Sequence, residues 1–146
     1  MITINKMDAA ADAACGVVKN IFADAPILGL DIDGTIDESP LFYSILSRVW
    51  PGFVIIITVR SDEAKAKEYL KKFNIYYDNL ILVKRLSDKA EIIKSTGVNI
   101  YVDDQDECLK NISSDVTVLK MRNPGNFNSV INKWMFSNDT GVNIDK

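Results

Sequence analysis

The sequence predicts an α/β fold, a three-layer Rossmann-like arrangement around a five-stranded parallel sheet, and two observations predict it. Five short apolar runs rich in β-branched residues recur at 27–32, 53–58, 79–83, 99–103 and 116–119. Stretches of helical periodicity alternate with them, near 41–49, 61–73, 88–95 and 105–112. Strands covered on both faces are apolar almost continuously, and strand–helix–strand alternation makes right-handed crossovers in a parallel sheet. With 146 residues, 47% of them hydrophobic and 25% charged, the chain fits one domain, 1–146, with a single core at 27–136.

Each element has local grounds. An Ala-rich N-terminal helix is expected within 7–24, its core 7–22 placing Ala10, Ala14, Val17 or Val18, and Ile21 at helical spacing, suited to packing on the sheet or on a second copy. The first strand, ILGLDI, closes on Asp31, followed by Asp33 and then Gly34, which permits a sharp turn. Residues 36–50 are long enough only for a flap or short helix, whose Phe42, Tyr43 and Trp50 either shape an entrance or pack. The second strand, FVIIIT, ends on Thr58. Ser61, with Glu63 and Ala64 behind it, reads as a helix start and Asn74 as its stop, with Lys65, Lys67, Lys71 and Lys72 on a solvated face. Lys89 stands at the start of the helix that Gly97 ends, and the fourth strand runs into Asp103 and Asp104. Past the fifth strand, Asn123, Pro124, Gly125 and Asn126 spell a turn on the same edge, which either touches substrate or, the favoured reading, is an ordinary surface turn. The tail 137–146 is polar and reads as loose.

Composition excludes several function classes. A net charge of −3 and a sequence pI near 4.9 disfavour a nucleic-acid footprint over the whole surface. The chain has no His, and Cys15 and Cys108 lack CxxC spacing, so neither a zinc site nor a Cys–His nucleophile pair is supported. No apolar run approaches the roughly 20 residues that span a bilayer, and no basic stretch precedes an apolar core. The expectation is a soluble, cytoplasmic protein with no membrane partner.

In an open parallel sheet, ligands gather at the carboxyl ends of the strands. Asp31 and Asp33 follow the first strand, Thr58 ends the second, and Asp103 with Asp104 ends the fourth. Four carboxylates delivered to one edge repel one another unless a hard cation sits among their oxygens, which points to Mg²⁺. Neighbouring acids at a strand end also allow division of labour between a nucleophile and a general acid/base.

These residues resemble the motifs of the haloacid dehalogenase (HAD) superfamily of phosphohydrolases. LGLDIDGT is similar to its first motif, VIIIT to its second, Lys89 to its third and IYVDD to its fourth, over about residues 27–120. The resemblance implies an Mg²⁺-dependent phosphatase that hydrolyses a phosphomonoester through an aspartyl-phosphate. Asp31 would be the nucleophile and Asp33 the general acid/base. Asp31, the Asp33 carbonyl and an aspartate of the fourth motif would hold the metal. For that aspartate hydrophobic register favours Asp104, with Asp103 as second choice. Thr58 would bind phosphoryl oxygens and Lys89 would neutralise their charge. Arg60, in TVR, would pair with a substrate phosphate or only with Asp62.

The spacings Gly34–Thr58 and Thr58–Lys89 leave no room for a folded cap, so a small capless type is expected, with an open site. Such a site suits a large phosphorylated substrate, or a small one covered by a second copy in a homodimer. The acidic balance favours a nucleotide or sugar phosphate over a polynucleotide 3′-phosphate. Two alternatives use the same acids: a catalytically silent HAD-fold binding module, and an Mg²⁺-dependent phosphoacceptor domain.

Overall fold

The computed structural model describes residues 24–135. The expected helix at 7–22, the tail 137–146 and Cys15 lie outside the described residues, and Asp24 lies in a turn.

Five parallel strands form the sheet: β1 (Leu28–Leu30), β2 (Val54–Thr58), β3 (Asn79–Leu82), β4 (Ile100–Asp103) and β5 (Thr117–Lys120). Their order is β3-β2-β1-β4-β5, so the strand that carries the acidic turn is central and the order reverses beside it. Four helices connect them: α1 (Pro40–Val49), α2 (Glu63–Lys72), α3 (Lys89–Thr96) and the short α4 (Asp106–Leu109). A two-stranded antiparallel hairpin, β6 (Phe127–Asn128) and β7 (Lys133–Trp134), follows β5. Between the site segments the chain forms only these short elements, and no cap is inserted.

Strand alternation sorts the core into two layers. Leu28, Leu30, Val54, Ile56 and Val102 face one side, where Tyr43 of α1 and Ala66 and Leu70 of α2 cover them. Ile55, Ile57 and Tyr101 face the other, with Ile93 of α3 and Val98. Gly29 lies on this second face opposite Tyr101, and a Cβ there would stand 2.7 Å from the tyrosine ring. Glycine in the central strand is the space that the buried Tyr101 occupies.

Some boundaries differ from expectation for local reasons. The α2 cap is Asp62 rather than Ser61, because the Asp62 carboxylate accepts the Lys65 amide at 3.0 Å. The four lysines of α2 are exposed as expected. Asn74 (φ 54°) and Gly97 (φ 69°) end α2 and α3 in the left-handed region, as their identities suggest. The helix expected over 105–112 stops at Leu109, and the following Asn111, Ser113, Ser114 and Asp115 favour turns. Tyr43 is fully buried and the Trp50 indole donates to the Pro26 carbonyl at 2.7 Å, so both pack, whereas Phe42 stays exposed. Among the described residues no helix is long and apolar enough to cross a membrane.

Candidate functional site

Register builds the site. Leu30 pairs with Val102 across β1 and β4, and the Asp31 amide continues the ladder by donating to the Val102 carbonyl at 3.1 Å. Asp31 and Asp103 therefore stand side by side where the two central strands end. Like charges directly opposite on neighbouring strands are destabilising. Lys89, the first residue of α3 and only 1% exposed, enters between them, with Nζ 2.9 Å from Asp31 Oδ1 and 2.7 Å from Asp103 Oδ2. A solvated first-turn lysine is thus excluded.

The two aspartates of the fourth strand have different surroundings. Both oxygens of Asp103 are taken, Oδ2 by Lys89 and by the Tyr101 hydroxyl at 2.8 Å, Oδ1 by the Gln105 amide at 2.9 Å. Asp104 accepts the Asn123 side-chain amide on Oδ2 at 2.9 Å, while its buried Oδ1 has no hydrogen-bond partner. Leaving a buried acceptor without a partner costs about 1–3 kcal/mol, more for a charged group. Asp31, Asp103 and Asp104 present oxygens that all lie within 4.8 Å of one another.

After Asp31 the chain makes a tight turn over Ile32–Ile36, in which Asp33 (φ −79°, ψ 123°) and Gly34 (φ 78°, ψ −1°) have the angles of a type II β-turn. The positive φ calls for glycine, and a Cβ at this position would also collide with the Asp104 carboxylate. Asp33 is exposed and is not part of the buried acidic cluster. Arg60 donates to both its oxygens, Nε to Oδ2 at 2.9 Å and an Nη to Oδ1 at 2.6 Å, and lies 4.4 Å from the Tyr69 ring centroid. Four converging carboxylates were expected; three converge, and the partner of Arg60 is Asp33 rather than Asp62.

The turn after β5 belongs to the site, which corrects its reading as a surface turn. Asn123 and Asn126 are buried and spend their carbonyl oxygens on the turn itself. Asn123 Oδ1 accepts the Gly125 and Asn126 amides, and Asn126 Oδ1 accepts that of Asn123. This frees both side-chain NH₂ groups. That of Asn123 reaches the Gly34 carbonyl (3.0 Å) and Asp104, and that of Asn126 reaches the carbonyls of Asp104 (2.7 Å) and Met121 (2.7 Å). One turn thereby ties the two acidic loops together. Thr58, wholly buried at the end of β2, has a hydroxyl with no partner.

Burial raises the Asp31 carboxyl to about 7, with the charge of Asp103 adding to the effect and Lys89 opposing it. Burial likewise raises Asp104 to about 6, against the hydrogen bond from Asn123. Burial works to lower the Lys89 ammonium, but Asp31 and Asp103 outweigh it and hold the lysine charged. Burial pushes the Cys108 thiol well above its ordinary value, which favours the protonated thiol.

The donor set fits a hard divalent cation. Every available ligand is oxygen, one buried carboxylate oxygen is unsatisfied, and when all three carboxyls are ionised they leave two negative charges beyond the Lys89 ammonium for a cation to balance. The cluster Asp31/Asp103/Asp104 could therefore hold a metal ion.

Tyr101 is a contribution not expected from the sequence, whereas Asn123 and Asn126 were expected on this edge but favoured as surface. Tyr101 carried a signal, since it precedes Asp103 by two residues on one strand and so shares its face. The Asn-x-x-Asn pattern signals a turn but not its burial.

No protein-family model matches the chain, and no curated protein matches it. Among solved structures, a universal stress protein in complex with cAMP resembles it with a TM-score of 0.47 at 10% identity, over 67% of this chain and 98% of that one.

Proposed function

We propose that the protein is an Mg²⁺-dependent phosphomonoesterase of the HAD type, acting through an aspartyl-phosphate on Asp31. The observation that carries this reading is the buried acidic cluster, which when ionised leaves two negative charges and an unsatisfied Asp104 oxygen beside a strand-end carboxylate. The reading gives Asp104 to the metal, together with Asp31 and the Asp33 carbonyl, and gives Asp103, whose oxygens are taken, to Lys89. When bound, Mg²⁺ would neutralise phosphoryl oxygens and keep Asp31 ionised.

In this reading Asp31 attacks phosphorus in line, and the ester oxygen leaves with a proton from Asp33. Lys89 uses two of its N–H groups on Asp31 and Asp103, so a third can meet a phosphoryl oxygen. The unpartnered Thr58 hydroxyl can donate to another. Asp33 then takes a proton from the water that cleaves the acyl phosphate. Its pairing with Arg60 is no obstacle in this reading: the Asp33 side chain is 57% exposed, so a substrate entering from solvent can displace the guanidinium. A phosphate-release assay with p-nitrophenyl phosphate tests the reading. Wild-type turnover should need Mg²⁺ and stop in excess chelator, and Asp31→Asn should lose several orders of magnitude. Chelator-resistant turnover, or an active Asp31→Asn protein, would refute it.

A further inference from the structure

A groove of about 660 Å³ adjoins the acidic cluster, within the size range of small-molecule sites. Asn123 is part of its wall and also bonds Asp104, so the groove and the cluster are neighbours that share this residue. Glu38, four residues beyond Gly34, comes from the loop after β1, and the rest of the lining comes from the turn after β5 and the β6–β7 hairpin. An ester held with its phosphorus at Asp31 can extend its alcohol part into this space.

Arg122 sets the chemistry. It lines the groove, and its guanidinium lies over the Phe127 ring, 4.9 Å from the centroid. The ring is itself buttressed edge-on by Trp134 at 5.2 Å. A guanidinium resting on an aromatic ring is restrained there while its edge N–H groups can still donate. Among the described residues Arg122 has no carboxylate within ion-pair distance, although the neighbouring Lys120 pairs with Asp106 at 2.7 Å. Asn128 uses its carbonyl oxygen on the Val130 and Ile131 amides, which leaves its NH₂ group as a further donor. Donors thus dominate the Arg122 end, and among the described residues of the lining the only acid is Glu38.

Building on the phosphatase reading, we propose that the groove receives the alcohol part of a phosphomonoester that bears a second oxyanion, carboxylate or phosphate, and that Arg122 binds this second group. The oxyanion accepts two parallel hydrogen bonds from the guanidinium, a geometry that lysine does not reproduce.

The test compares three substrates, p-nitrophenyl phosphate, a phosphorylated hydroxy acid and a sugar bisphosphate, in the wild type, Arg122→Gln and Arg122→Lys. Arg122→Gln should raise KM about tenfold or more for at least one substrate with a second oxyanion, with kcat and the kinetics on p-nitrophenyl phosphate unchanged. A loss confined to the hydroxy acid identifies a carboxylate, and one confined to the bisphosphate identifies a phosphate. Arg122→Lys should restore less than half of that loss. Equal losses on all three substrates, or no loss on any, would overturn the groove proposal while leaving the phosphatase reading intact. Absence of wild-type turnover on all three would remove both.

Discussion

Lys89 and Asp104 carry opposite sides of the site's electrostatics. Breaking a buried ion pair costs about 3–5 kcal/mol, so Lys89 is what allows Asp31 and Asp103 to be buried together, whereas Asp104 has only an amide donor. This has a pH consequence. The Asp31 and Asp104 carboxyls titrate at about 7 and about 6 in the folded chain, against 3.8 as the ordinary value. Raised values mean that the folded chain holds these protons more tightly than the unfolded one. Their stabilisation is complete below pH 3.8 and fades as pH rises through about 7. In chelator, then, these two groups should make the melting temperature fall over that window. A cation binds the deprotonated carboxylates, so Mg²⁺ should raise the melting temperature more at about pH 7.5 than at about pH 5. Scanning fluorimetry at both values checks this, and an equal rise at both would contradict it. At this scale the sequence was legible where a residue's place follows from strand position: Asp31, Thr58, Asp103 and Asp104 all lie at strand ends. It was not legible for Arg60, whose partner Asp33 is 27 positions away and is presented by the turn at Gly34.

At the scale of elements, β1 and β4 do most to position the chemistry, and their contact depends on one missing side chain. Gly29→Ala would place a Cβ 2.7 Å from Tyr101 Cδ2 and 3.0 Å from Val98 Cγ1. The ring must shift, and with it the hydroxyl that holds Asp103 Oδ2. We expect a loss of about 1–3 kcal/mol in urea unfolding, the usual range for overpacking, with lower turnover. An unchanged midpoint would mean that the ring is not held as tightly as these distances indicate. The five strands were readable because each is an almost continuous apolar run, and α2 and α3 because their stops are Asn74 and Gly97. The β6–β7 hairpin was not readable: two strands of two residues are shorter than any period a pattern can show. Its pairing rests instead on contacts such as that of Phe127 with Trp134.

In the molecule as a whole, strand order β3-β2-β1-β4-β5 brings the ends of β1, β2 and β4 to one edge, and the turn after β5 closes that edge from the side. The site lies beside the reversal of strand order, where open α/β sheets place their ligands. Among the described residues no inserted module stands over it between β1 and α3. In the proposed mechanism Asp31 takes the phosphoryl group covalently while Asp33 serves leaving group and water. Asp33→Asn retains Asp31 but removes the base that completes hydrolysis, so the acyl phosphate should accumulate with a substrate whose leaving group needs no protonation. The most direct measurement is mass spectrometry of acid-quenched Asp33→Asn protein after incubation with p-nitrophenyl phosphate and Mg²⁺. A single added phosphoryl group located on Asp31, and absent from the Asp31→Asn/Asp33→Asn double variant, is the predicted result. Stoichiometric release of p-nitrophenol with no phosphoryl group on Asp31, or with the group on another residue, would contradict the mechanism.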